Sequence, residues 1–163
     1  MKYLLGLFLL APFFLQAQDC KLNKETDPYT KETKLSTGFI FLQGASVTID
    51  ADSKEIDVLF SIEGVDKCFD DNSTAILIFE NSKVKTTLRN NGTMNCEGLF
   101  HFIFKNSPTT ISNLKKITTQ KITQITFVNS SKKPIVVTLA PADQQSLVTL
   151  ANCLVTDAKA LIK

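Results

Sequence analysis

A cysteine and the only histidine of the chain lie five residues apart in the stretch NCEGLFHFIF, as Cys96 and His101. A thiol nucleophile with an imidazole base is the chemistry these two residue types perform. It requires a free thiol of lowered pKa with the imidazole in hydrogen-bond reach. Five residues of extended strand span about 16 Å, so only a tight bend would bring the pair together. The cysteine count points elsewhere. Cys20, Cys68, Cys96 and Cys153 are the chain's four cysteines, and an even number in an exported chain most simply means two disulfides, with three connectivities open. There is no C-x-x-C, and one histidine does not complete a zinc site with them. The expectation is oxidised cysteines, no metal and no catalytic residue, with His101 a strand residue whose polar edge is solvated or hydrogen-bonded.

Acid–base work would then fall to carboxylates. Two acidic stretches stand out, DADSKE at 50–55 and DKCFDD at 66–71. They make Asp50, Asp52, Asp70 and Asp71 a weak candidate acidic loop site. A carboxylate hydrolase would need such acids to converge in a cleft with a raised pKa. Calcium would take oxygen ligands from loops of this kind. Neither stretch fits the twelve-residue EF-hand pattern, and Lys54 and Lys67 partly neutralise them, so solvated turns are the plainer reading. The chain has no Walker loop, dinucleotide fingerprint, nucleophile elbow or H-E-x-x-H. No cofactor is expected. Asn72, Asn91 and Asn129 open sequons, but polar turns produce such triplets by chance, and Asn91-Gly92 reads best as turn chemistry.

The beginning of the chain sets the compartment. MKYLLGLFLLAPFFLQAQ has one cation, Lys2, an apolar run from Tyr3 to Leu15, then Gln16-Ala17-Gln18. This is the layout of a signal peptide over residues 1–17, with cleavage after Ala17. The run is too short for a transmembrane helix, which takes about 20 apolar residues, and Asp19 before Cys20 does not fit a lipobox. No stable membrane insertion is expected after cleavage. Cleavage leaves 146 residues with 17 cations against 16 anions, a single-domain length with a net charge near zero. No electrostatic footprint for nucleic acid results; the densest basic patch, Lys115, Lys116 and Lys121, is too small to carry one.

Most of the remaining sequence has period two. Residues 18–37 are polar and read as an extended N-terminal lead-in with a turn at Asp27-Pro28. A single β-rich domain over 38–163 follows. Phe39 and Phe41 alternate with Ile40 and Leu42, and Val47 and Ile49 follow a Gln43-Gly44 turn. Strands are expected at 55–62, 74–80, 83–89 and 99–105, where Ile56, Val58, Phe60 and Ile62 share one face and Phe100, Phe102 and Phe104 another. Residues 110–119 suggest a short helical turn, and KITQITFVN with PIVVTLA a last hairpin whose Pro134 opens a strand or lies on an edge. Beyond Pro141 the period changes. Leu147, Leu150, Ala151, Leu154, Ala158 and Leu161 form one stripe of an amphipathic helix at about 141–162, begun by Pro141 and Asp143. The fold class is mainly β, with α+β as the alternative: seven or eight antiparallel strands in a sandwich or partly open barrel, closed by that C-terminal helix. If the middle strands run up and down, the loops at 63–73 and 90–98 emerge at one end. This favours Cys68–Cys96 and leaves Cys20 for Cys153.

Two stretches resemble small exported proteins of Bacteroidetes-type bacteria. Asp27-Pro28-Tyr29-Thr30-Lys31 resembles a D-x-F-T-[GK] element early in those chains, with Tyr in place of the commoner Phe. Asn95-Cys96-x-Gly98 before an aromatic strand resembles a second. The resemblance implies a secreted or cell-envelope location and no activity, since that group offers no catalytic residues to carry over. Three functions follow as expectations, with the partner unidentified. The first is a non-enzymatic binding or scaffolding module of the envelope, partnered there by another protein. The second is a carrier of a small apolar ligand, with the nine Phe residues beyond the signal segment around a cavity. The third is a hydrolase built on the acids above.

Overall fold

The computed structural model describes residues 20–162; the expected signal segment 1–17 and its expected cleavage bond lie outside them. Ten strands form two antiparallel sheets. The first sheet contains β1 (Asn23–Thr26), β2 (Thr33–Ser36), β3 (Ile40–Leu42), β4 (Ala45–Ala51), β5 (Glu55–Ile62) and β8 (Leu99–Lys105). Its order is β1-β2-β4-β5-β8, with β3 sharing an edge of β4 with β2. The second sheet has the order β10-β9-β6-β7, from β6 (Thr74–Phe79), β7 (Thr86–Arg89), β9 (Ile122–Val128) and β10 (Pro134–Thr138). A short helix, α1 (Ser112–Thr119), precedes β9, and α2 (Pro141–Ala158) ends the fold. The sheets face each other as a sandwich without closing into a barrel, as period-two patterning with one apolar face per strand dictates.

The core is aromatic at its centre. From the first sheet, Ile56, Val58, Phe60 and Ile62 of β5 and Phe100, Phe102 and Phe104 of β8 turn inward and are buried. Phe127 of β9 meets them from the second sheet, its ring centroid 5.1 Å from Phe100 and 5.4 Å from Phe60. Phe69, in the loop before β6, packs edge-on against Phe100 at 5.2 Å. Helix α2 lies across β2, β3 and β4 of one sheet and β9 of the other, and also on α1. It buries Leu147, Ala151, Leu154 and Ala158, four of the six residues in the expected stripe, together with Val155. Leu150 and Leu161 pack against the core partly buried.

The ten strands exceed the expected seven or eight because the lead-in is itself a hairpin. β1 pairs with β2, and Leu35 of β2 is buried opposite Ala51 of β4. Asp27 shapes the turn: its Oδ1 accepts from the backbone N–H of Tyr29 at 2.7 Å and of Thr30 at 2.8 Å. These bonds hold its carboxyl below the usual aspartate range. The lead-in therefore belongs to the domain. One strand is shorter than its alternation suggests: β7 begins at Thr86, and Val84 is exposed. Ser82 Oγ accepts from the Val84 N–H, which holds residues 82–84 in a turn. Of the helical-turn residues, Leu114 and Ile117 are buried and Ile111 is exposed. Pro134 both opens β10 and lies on a sheet edge.

Disulfides join Cys68 to Cys96 and Cys20 to Cys153. The first ties the loop before β6 to the loop before β8, the loops that share an end of the fold. The second ties the start of the domain to α2. Gly98 then turns the chain into β8 with φ of +88°. A Cβ there would collide with the carbonyl oxygen of Ile62, so the position demands glycine.

Candidate functional site

Alternation in β4, β5 and β8 leaves one residue in two on the outer face of the six-stranded sheet. From β4 come Ser46, Thr48 and Asp50; from β5, Asp57, Leu59 and Ser61; from β8, Leu99, His101 and Ile103. Register sets their neighbours: Asp50 stands opposite Asp57, and Leu59 opposite His101. His101 reaches diagonally to Asp57, and its Nδ1–H donates to the carboxylate at 2.8 Å, each side chain 24% exposed. The other Asp57 oxygen, Oδ1, is buried without a hydrogen-bond partner. Burial pushes the Asp57 carboxyl up, the bond to His101 opposes this, and Asp50 adds a smaller upward push. The net direction is upward.

Beside this pair the β1–β2 hairpin leaves a groove of about 470 Å³, lined by Asn23, Lys24, Glu25, Lys34, Ser36, Asp50, Asp52, Glu55 and Asp57 among others. Five carboxylates face two lysines. On the same sheet face Phe41 of β3 and Phe39 just before it form an aromatic pair. Phe39 is 69% and Phe41 77% exposed, and their rings stack at 6.1 Å with 24° between planes. Exposed large aromatics on the same face as a polar groove offer contact area to a ligand.

The structure divides the expected acidic residues. Asp50 and Asp52 line the groove, whereas Asp70 and Asp71 lie in the turn before β6. Asp70 accepts from Ser73 Oγ at 2.8 Å and from the Asn72 N–H at 3.0 Å. The Ser73 bond leads in holding its carboxyl below the usual range. Asp71 pairs with Arg89 at 3.8 Å, and Asp66 with Lys133 at 2.8 Å. Asp52 accepts from the N–H groups of Lys54 and Glu55 as a turn former. Of the expected acids, Asp70 and Asp71 therefore shape a loop away from the groove, and only Asp50 and Asp52 share a cleft. Among the described residues no cluster of three or more His, Cys, Asp or Glu side chains is placed to hold a metal ion. Cys96 is bonded to Cys68 and His101 to Asp57, so the two do not meet as nucleophile and base.

Asp57 is the functional-site residue the sequence reading left out. Its signal was present: it lies on the polar side of the EIDVLFSIE strand, between Glu55 and Glu63 of the same parity, and His101 has the same parity on β8. What was missing was the register that joins them.

The raised Asp57 pKa makes a pH prediction with a definite sign. A carboxyl whose pKa is higher folded than unfolded stabilises fully below its unfolded pKa, and that contribution is lost as pH rises through the folded pKa. Asp57→Asn removes this loss. Thermal unfolding followed from about pH 3 to about pH 7 is expected to show the variant gaining on the parent as pH rises. A parent that gains on the variant over that range would refute the assignment.

Fold and face together define a disulfide-clamped antiparallel β-sandwich with a polar groove and an aromatic pair on one outer sheet face. No family model, curated protein or solved structure matches the chain. Function therefore rests on the geometry above.

Proposed function

We propose that the protein is an exported, non-enzymatic binding module that takes its ligand on the outer face of the six-stranded sheet. The observation that carries this reading is the groove at Asp50 and Asp57, with the exposed Phe39–Phe41 pair on the same sheet face. The two disulfides fit an oxidising compartment, and the signal-like start of the sequence supports export to the periplasm or cell surface. The carrier reading has less support, because the mutually packed rings of Phe60, Phe69, Phe100, Phe102 and Phe127 occupy the space between the sheets. The excess of carboxylates in the groove selects ligands with positive charge.

Isotope-labelled mature protein titrated with trilysine, chitotriose and decanoate tests the reading. Trilysine is expected to shift the amides of Ser36, Asp50 and Asp57 and to do so less in Asp50→Asn. Decanoate moving the amides around Phe60 and Phe127 instead would favour the carrier. Silence at the groove with all three would count against the surface.

A further inference from the structure

β8 is the last strand of its sheet, and the residues 90–98 cover its free edge. Three outward backbone N–H groups of β8 end on asparagine side chains: Leu99 on Asn95 Oδ1 at 3.0 Å, His101 on Asn90 Oδ1 at 2.9 Å and Ile103 on Asn91 Oδ1 at 3.0 Å. The outward carbonyls of Leu99 and His101 accept from Asn95 Nδ2 and from the Asn91 N–H, at 2.9 and 3.0 Å. Four side-chain bonds and one backbone bond thus replace a neighbouring strand. The covering loop is held at Asn95 by a two-bond bridge to the backbone of the buried Phe69, at 2.8 and 2.9 Å, and one residue later by the Cys68–Cys96 disulfide.

The strand underneath would pair with itself readily. A two-fold axis normal to the sheet preserves its faces, so an antiparallel self-pair brings together residues of the same face. Centred on Phe102, it sets His101 opposite Ile103, Phe100 opposite Phe104 and Leu99 opposite Lys105, with no like charges facing. LFHFIF is also rich in β-formers, without proline or acid, the composition of self-associating strands. The opposite sheet edge differs. Self-pairing of β1 about its middle sets Lys24 against Lys24 or Glu25 against Glu25, which is unfavourable.

We propose that the 90–98 loop is a redox-locked guard on the β8 edge, and that opening the Cys68–Cys96 bond lets β8 pair with β8 of a second copy. The reductant is a dithiol. One of its thiolates attacks a bridge sulfur to give a mixed disulfide, and its second thiolate displaces the protein sulfur. Two protein thiols result, and the dithiol leaves as its cyclic disulfide. The Asn90, Asn91 and Asn95 contacts then hold the loop without covalent support, in competition with a backbone ladder from the second copy.

The test compares the oxidised mature protein with a Cys68→Ala/Cys96→Ala variant that keeps Cys20–Cys153. Amide exchange at Leu99, His101 and Ile103 is read together with mass by light scattering across a concentration series. The parent is expected to be monomeric. The variant is expected to exchange those amides at least about tenfold faster and to form a concentration-dependent dimer. Adding Ile103→Lys should abolish the dimer and leave the fast exchange. A variant that stays monomeric, or a dimer that Ile103→Lys leaves intact, would overturn the proposal. Asn91→Ala in the fully oxidised protein is the second arm and does not depend on the double variant folding. It should accelerate exchange at Ile103 alone, and unchanged exchange there would refute the guard.

Discussion

Phe127→Ala is expected to lower the free energy of unfolding by about 3–5 kcal/mol, the cost of emptying a fully buried phenylalanine site. Phe127 is the ring through which the second sheet reaches the aromatic cluster, with centroids 5.4, 6.2 and 5.1 Å from Phe60, Phe69 and Phe100. Those three rings sit on two β-strands of the opposite sheet and one disulfide-tethered loop, so they cannot all move into the space left behind. The loss should fall toward the upper part of the range for that reason. Phe41→Ala makes the comparison. Its ring is mostly in solvent, and surface substitutions stay within about 0.5 kcal/mol. Urea unfolding of the oxidised protein gives both numbers. A Phe127→Ala loss no larger than that of Phe41→Ala would mean that the sheets do not meet through this ring.

That contrast also marks what the sequence could and could not convey. In FIFLQGASVTI, Phe39, Ile40, Phe41 and Leu42 are all apolar, so alternation alone leaves the inward pair unassigned. The tight turn at Gly44 and pairing of Ile40 with Val47 set Ile40 and Leu42 inside and leave both phenylalanines outside. In LFHFIFK the unequal faces settle the matter, and Phe100, Phe102 and Phe104 are core. The lead-in read as extended because it has few apolar residues. One of them, Leu35, suffices to anchor β2, and the Asp27 turn supplies β1 with its partner. Both short elements noted at the outset have structural duties in this fold. Asp27 caps a hairpin turn, while Asn95, Cys96 and Gly98 respectively cover an edge, lock a loop and admit the chain beneath Ile62. The Asp57–His101 contact was hidden for another reason. It joins residues 44 apart in sequence, and only the β5–β8 register makes them neighbours.

The two disulfides should differ in their contribution, and the order follows from chain length. Closing a loop restricts the unfolded chain by an amount that grows with the logarithm of the loop. Cys20–Cys153 spans 133 residues and Cys68–Cys96 spans 28. In the chain-entropy model these lengths correspond to about 5 and about 3.6 kcal/mol at 25 °C, upper figures that native strain and residual unfolded structure reduce. Replacing Cys20 and Cys153 by alanine is thus expected to cost about 1.4 kcal/mol more than replacing Cys68 and Cys96 on entropy alone. Equilibrium denaturation of the two double variants measures the difference. The native-state consequences run the other way. Cys20 precedes β1 and lies outside the sheets, so its loss should leave exchange at Leu99, His101 and Ile103 limited by global unfolding. Loss of the shorter bridge should free those amides locally at a smaller global cost. A shorter bridge that proves the more stabilising of the two would show that the loop it holds contributes to the folded core as well as to its edge.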